Sequence, residues 1–315
     1  MPTTPEQFLH DILLEPACLR ALAERPDPFA GMLDARPARV LFLGMGSSRY
    51  VALSAATRLR AHGVDAYAEI ASTGLPQPAS TDTLAIAISA SGTSRETLAA
   101  LARHRGTSRT LLLTNAPDAA AHLADHVVEM RCDAEEGGIS CRTFQATVAL
   151  LHLLVAKLTG SDPRIGALRE AADAQDALFA ARASWLGPIA DALEGAPIYA
   201  IGPDESMASV EQISLMLREG PRVHSDGCET GDWDHVDVYV SLHGGYRALF
   251  LPGSRWDDRV EHWTRERAIT LVALGRPFAA ATHHVPFTGA DDPLIASLVE
   301  TSVAELIAYE LWSRA

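Results

Sequence analysis

The sequence predicts an α/β fold: two mostly parallel, doubly wound sheets flanked by helices. Three observations carry that prediction. An aliphatic run, a polar turn and a helical stretch recur in that order, as in parallel sheets with crossover helices. The runs Val40-Leu41-Phe42-Leu43 and Leu84-Ala85-Ile86-Ala87-Ile88 are continuously apolar rather than alternating, as strands covered on both faces are. The pattern then begins again near residue 197, in a chain of 315 residues that can hold two cores. Alanine and aliphatic residues dominate and aromatics are 6%, which suits α/β packing better than a β-sandwich.

Residues 4–24 read as one amphipathic helix with Phe8, Ile12, Leu13 and Leu22 on its apolar side. Pro26, Pro28 and Pro37 mark a connector. The strand 40–43 is closed by Gly44-Met45-Gly46-Ser47-Ser48, with a helix from Arg49 towards Ala61. Residues 64–70 and 84–88 are the next strands, a helix follows Ser94, and strands over 110–113 and 127–130 complete the sheet. Helices fill 142–159 and 164–193. Pro197-Ile198-Tyr199-Ala200-Ile201 starts the second sheet, Gly202-Pro203-Asp204 turns the chain, and a helix covers 206–219. Residues 236–242, 248–251 and 269–272 read as later strands and 294–312 as a closing helix. The expected organisation is a helical arm over 1–36, a first domain over 37–193 and a second over 194–315. The break falls near Glu194-Gly195-Ala196-Pro197.

Several function classes are excluded at this level. A net charge of -14 and the lack of any basic tract argue against nucleic acid. No apolar run approaches a membrane span, and Met1-Pro2-Thr3-Thr4-Pro5-Glu6 has no signal-peptide pattern. Cys18, Cys132, Cys141 and Cys228 show no paired spacing, so reduced thiols and a cytoplasmic location are expected. The acidic stretch 226–237 fits no calcium loop, and His283-His284 is an isolated doublet. Neither a metal nor a cofactor is expected. Lys157 is the only lysine, so imine chemistry would rest on that residue alone.

The most informative turn is Ser89-Ala90-Ser91-Gly92-Thr93-Ser94, between a buried strand and a helix. Unpaired amides and the positive helix end can hold a phosphate there; ordinary N-capping is the other reading. Gly44-Met45-Gly46-Ser47-Ser48 fails as a dinucleotide fingerprint, because Val51 and Ala52 follow where a third glycine is needed. Two serine-bearing turns leaving neighbouring strands would share one sheet edge, where open α/β sheets bind ligands. Glu219 reads either as a solvated helix end or as a general base with a raised pKa. His235 reads either as a core histidine or as a proton shuttle.

In order along the chain, these motifs resemble the sugar isomerase (SIS) family in a double-domain arrangement, similar to the isomerase half of glucosamine-6-phosphate synthase. The residues that carry the resemblance are 44–48, 89–94, Gly138-Ile139-Ser140-Cys141-Arg142, Arg218-Glu219, His224 and Gly231-Asp232-Trp233-Asp234-His235. The resemblance implies that Gly46, Ser47, Ser48, Ser89, Ser91 and Ser94 hold a phosphate and that Ser140 meets the sugar. It further implies that Glu219 moves a proton at C2 and that His235 opens the ring, reaching into a neighbouring subunit of a homodimer.

The chain departs from the pattern in several places. No glutaminase domain precedes the first sheet. Met216 stands where the synthase has a lysine, Ala90 replaces a glutamine, and the chain ends at Trp312-Ser313-Arg314-Ala315 without the lysine-bearing tail. Glutamine-dependent synthesis is therefore not expected. The expected function is an enzyme acting on an amino-sugar 6-phosphate, N-acetylated by preference, through C2 proton abstraction and 2,3-dehydration. The alternatives are an aldose–ketose isomerase or deglycase, and a non-catalytic phosphosugar sensor. The expected partner is a small sugar phosphate.

Overall fold

Leu14 divides the predicted N-terminal helix into α1 (Pro5–Leu13) and α2 (Glu15–Glu24) in a computed structural model that describes residues 3–33, 36–195 and 197–315. Thr4 Oγ1 accepts the Gln7 amide at 3.3 Å and Gln7 Oε1 accepts the Thr4 amide at 3.2 Å, a capping box that fixes where α1 starts. Pro16 has no N–H to donate to the carbonyl one turn back, so the ladder stops there. Phe8, Ile12 and Leu22 are buried as expected, whereas Leu13 is exposed.

The described chain divides into two compact units, one around each sheet. The first-sheet unit takes the described residues of 18–134 and 142–165. The second-sheet unit takes those of 1–17, 135–141 and 166–315. The boundaries expected at 36 and 193 do not coincide with this division, because α1 and residues 166–193 group with the second sheet. Amphipathic periodicity gives a helix a buried face without naming the surface that face meets. Ala196, in the expected break, lies outside the described residues, as do Met1, Pro2, Asp34 and Ala35.

In the first-sheet unit, β1 (Arg39–Gly44), β2 (Asp65–Ile70), β3 (Thr83–Ile88), β4 (Arg109–Thr114) and β5 (His126–Glu129) pair in parallel in the order β2-β1-β3-β4-β5. Val40, Phe42 and Ile86 alternate with Leu41, Leu43, Ala85 and Ala87, and all are buried, so both faces need cover. α3 (Gly46–Ala61), α4 (Arg95–Ala102), the short α5 (Pro117–Ala120) and α6 (Arg142–Thr159) provide it.

The second-sheet unit holds α7 (Ile165–Leu193, its first residue apart), β6 (Ile198–Gly202), α8 (Met207–Glu219), β7 (Gly227–Glu229), α9 (Thr230–Trp233), β8 (Arg247–Phe250), α10 (Asp257–Arg267), β9 (Thr270–Leu274), β10 (His283–Val285) and α11 (Pro293–Arg314). Its parallel order is β10-β9-β8-β6-β7, the same as the first sheet's when strands are numbered within each sheet. Residues 236–242 are not the predicted strand. A 3₁₀ helix spans Asp237–His243, with Tyr239, Val240 and Leu242 exposed. The place beside β6 belongs to the three-residue β7, which carries no aliphatic run for sequence reading to find. A Cβ on Gly227 would lie 2.7 Å from a Val210 methyl, so the glycine lets α8 lie against that strand. The His283-His284 doublet sits on edge strand β10, where the His284 ring is 2.8 Å from the Gly275 carbonyl.

Candidate active site

β1 and β3 are parallel neighbours, so the turns after them leave one sheet edge, at the point where strand order reverses. Gly46 opens α3 with φ +51°, and Ser47 and Ser48 lie half-buried in its first turn. No side chain caps this helix. A Cβ on Gly44 would meet the Arg49 amide nitrogen at 3.2 Å, so the turn closes directly onto the strand end.

The second turn divides its hydroxyls between building and display. Ser89 is buried, and its Oγ accepts the Ser94 amide at 3.4 Å. Ser94 caps α4, accepting from the Thr97 amide at 3.4 Å and donating to Thr97 Oγ1 at 2.9 Å. Ser91 and Thr93 are exposed, with their hydroxyls 2.8 Å apart. Gly92 is required twice over. Its φ is +65°, and a Cβ there would lie 3.0 Å from the Ala116 carbonyl.

Glu219 is the last residue of α8, and the chain turns sharply after it: the Gly220 amide donates to the Met216 carbonyl at 2.9 Å. The residue faces an open cavity of about 320 Å³ lined by Thr3, Gly137, Gly138, Ile139, Arg218, Glu219 and Arg222. Desolvation raises the Glu219 carboxyl above the usual carboxylate range, while the nearby guanidiniums of Arg218 and Arg222 pull it down. The wall opposite is held in place by side chains of the same unit. Asp11 accepts the Glu136 amide at 3.1 Å and the Gly137 amide at 2.7 Å, and Glu135 accepts the Cys141 amide at 3.2 Å. Gln212, two turns before Glu219 on α8, donates to the Ser140 carbonyl at 2.7 Å.

Of the predicted residues, the fold therefore gathers Gly46, Ser47, Ser48, Ser89, Ser91 and Ser94 at one edge of the first sheet. It places Glu219 with the 137–139 turn in the second-sheet unit. Neither Ser140 nor His235 lines the Glu219 cavity. His235 is exposed, in the turn after α9. Its neighbour Asp234 is clamped by Arg259 at 2.8 Å and by the Trp263 indole N–H. Lys157 pairs with Asp27 in the first-sheet unit, and no lysine stands in the second. Sequence reading passed over Arg222 and Thr3, because a basic residue after Gly-Pro and a threonine near the start carry no local signal of a cavity. Among the described residues, no group of three or more histidine, cysteine or carboxylate side chains is placed to hold a metal, and no helix is long and apolar enough to cross a membrane.

The fold and these turns define a parallel α/β protein with a hydroxyl-lined switch point. Residues 32–157 match the model of the SIS domain family, which covers the first sheet; the second sheet, which repeats its strand order, lies outside the match. The chain is 26% identical over 334 residues to a glutamine–fructose-6-phosphate aminotransferase (isomerizing) from Aeropyrum pernix, covering 98% of this chain and 52% of that protein. It thus spans about half the length of the curated relatives it matches. Among solved structures, the C-terminal domain of the glucosamine-fructose-6-phosphate aminotransferase of Francisella tularensis superposes with a TM-score of 0.83 at 16% identity, over 98% of this chain and 95% of that one. A glucosamine-6-phosphate deaminase from Thermotoga maritima superposes at 0.78 and 18% identity, over 98% and 95%. These likenesses at low identity are likenesses of fold.

Proposed function

We propose that the protein is a phosphosugar enzyme that abstracts a proton at C2 of an amino-sugar 6-phosphate, with Glu219 as the base. The observation that carries this reading is Glu219, exposed on an open cavity large enough for a sugar and walled by the 137–139 turn, with partial desolvation raising its carboxyl. The hydroxyl turns at the first sheet's switch point support a phosphate site made of Gly46, Ser47, Ser48, Ser89, Ser91 and Ser94. The printed names of the relatives, which include amino-sugar and ketose phosphates, support the substrate class.

In the open-chain aldose, Glu219 takes the C2 proton and the electron pair passes into an enolate across C1 and C2, with the charge on the C1 oxygen and the nitrogen kept on C2. Expulsion of the C3 hydroxyl, which takes up a proton and leaves as water, gives the 2,3-unsaturated product. Met216 is fully buried and the second-sheet unit has no lysine, so that unit offers no side-chain amine for imine chemistry. This favours elimination from an N-acetylated substrate. Reprotonation at C1 would instead give isomerisation, the chemistry in the printed name of the Aeropyrum relative. The exposed position of His235, outside the lining of its own chain's cavity, fits a ring-opening role in a second copy of the chain, as a homodimer.

Incubation in deuterated water with glucosamine 6-phosphate, its N-acetyl derivative and fructose 6-phosphate tests the proposal. Deuterium is expected at C2 of an aldose (C1 of the ketose), and loss of one water identifies elimination. Glu219→Gln should lower the exchange rate by about 10²- to 10⁴-fold while phosphosugar binding persists. Binding without exchange in the wild type would identify a sensor instead.

A further inference from the structure

We propose that Arg222, assisted by Arg218, binds a carboxylate on the substrate, so that the preferred substrate is an amino-sugar 6-phosphate bearing an acidic group on its C2 nitrogen. The inference rests on the reading of Glu219 as the base at C2.

Both arginines line the Glu219 cavity. Arg222 forms no ion pair or hydrogen bond among the described residues, and Arg218 reaches only Asp226, loosely, at 3.8 Å. Four other guanidiniums are closely matched: Arg39 lies 2.8 Å from Asp65, Arg259 2.8 Å from Asp234, Arg276 3.0 Å from Asp291 and Arg314 2.6 Å from Asp191. Arg222 is exposed and lines an open cavity beside Glu219.

The backbone at Arg222 points the same way. Its φ is +61°, a left-handed conformation that glycine or asparagine adopts more readily. The turn is fixed by Pro221 before it and by the Val223 amide, which donates to the Leu217 carbonyl at 2.9 Å. A strained arginine in a cavity marks a position held for its side chain.

A guanidinium fork matches the two oxygens of a carboxylate or phosphate. Glu219 selects between them. It must ionise to act as a base, and a dianionic phosphate beside it would oppose that more strongly than a singly charged carboxylate. Two guanidiniums, Glu219 and one ligand carboxylate also balance in charge. Because the arginines flank Glu219, the acidic group falls next to the carbon whose proton Glu219 takes.

Calorimetry with N-(carboxyacetyl)glucosamine 6-phosphate, its terminal carboxamide and glucosamine 1,6-bisphosphate tests this. The wild type should bind the acid about 10-fold or more tightly than the amide. Arg222→Asn, which suits the left-handed backbone, should remove that preference while amide affinity changes less than about 2-fold. Equal binding of acid and amide, equal weakening of both in Arg222→Asn, or tighter binding of the bisphosphate than of the acid would each overturn the proposal, as would no binding of the acid at all. The deuterium assay keeps the two readings apart. C2 exchange without acid preference removes only the carboxylate site; an Arg222-dependent acid preference without exchange removes only the base.

Discussion

The two sheets share one strand order and end it in opposite chemistry. At the first switch point, the turn after β3 presents Ser91 and Thr93 to solvent, and its amides are answered by neutral serine oxygens. At the second, the turn after β8 gives the Gly253 and Ser254 amides to the Asp257 carboxylate, at 2.8 and 3.1 Å. The turns after β1 and β6 differ likewise, since the position taken by Gly46-Ser47-Ser48 after β1 is taken by Pro203-Asp204-Glu205 after β6. The contrast extends inward. Every fully buried carboxylate among the described residues belongs to the second-sheet unit: Asp11, Glu15, Glu300 and Glu305. The first-sheet unit buries hydroxyls, amides, His104 and Arg142 instead. One architecture can thus present an opening for an external anion or fill that position with its own acid, depending on a few turn residues.

The largest consequence concerns pH. Burial raises the Glu300 carboxyl from 4.5 to about 7, against the opposing hydrogen bond from Ser209 and the charge of Arg276. Below the unfolded value both states hold the proton and nothing is lost. As pH climbs from 4.5 towards 7, the unfolded chain releases its proton first and stability falls; above that the deficit is constant. Glu300→Gln should recover on the order of 3 kcal/mol at pH 8 and nothing at pH 4, read from urea unfolding at both values. A parallel offset at the two pH values would show that Glu300 is not the source.

Gly92→Ala comes next. Forcing a Cβ into the left-handed turn should cost about 1–2 kcal/mol. It should also weaken hexose 6-phosphate binding, and unchanged affinity would move the phosphate away from this turn. Ser94→Ala removes the cap of α4 and should cost about 1 kcal/mol in the same unfolding assay, with Ser94→Gly less harmful. The smallest effect is expected at the other switch point. Asp257→Asn should change stability by less than about 0.5 kcal/mol, because burial raises the Asp257 carboxyl while the Gly253 and Ser254 amides favour its charge, and should leave hexose 6-phosphate affinity unaltered. Loss of that affinity would place the phosphate at the second sheet and reverse the contrast.

Much of this was legible beforehand, for identifiable reasons. Continuous apolar runs such as 84–88, short and bounded by turn residues, read as strands with both faces covered, so the parallel α/β class followed from β1 and β3 themselves. Glycine at 92 with hydroxyls around it marked the tight turn into α4, because positive φ and helix-start chemistry are local. Residues 236–242 misled for the same reason that 84–88 informed. An apolar run says that burial is favourable, not that a neighbour is present to provide it, and here the edge position was taken by β7. The role of α1 was equally hidden, since nothing in Asp11 predicts that its carboxylate holds the Glu136 and Gly137 amides.

The sequence alone determined the periodic elements, the single lysine, the acidic balance and the turns that need glycine or serine, because each is set by backbone sterics or by side-chain chemistry within a few residues. Only the tertiary structure decided which unit each helix joined, that Arg222 and Thr3 share a cavity with Glu219, and that Asp257 answers the second switch point's amides. Those outcomes depend on groups far apart in the chain meeting in space, and desolvation, ion pairing and cavity shape exist only once they have met.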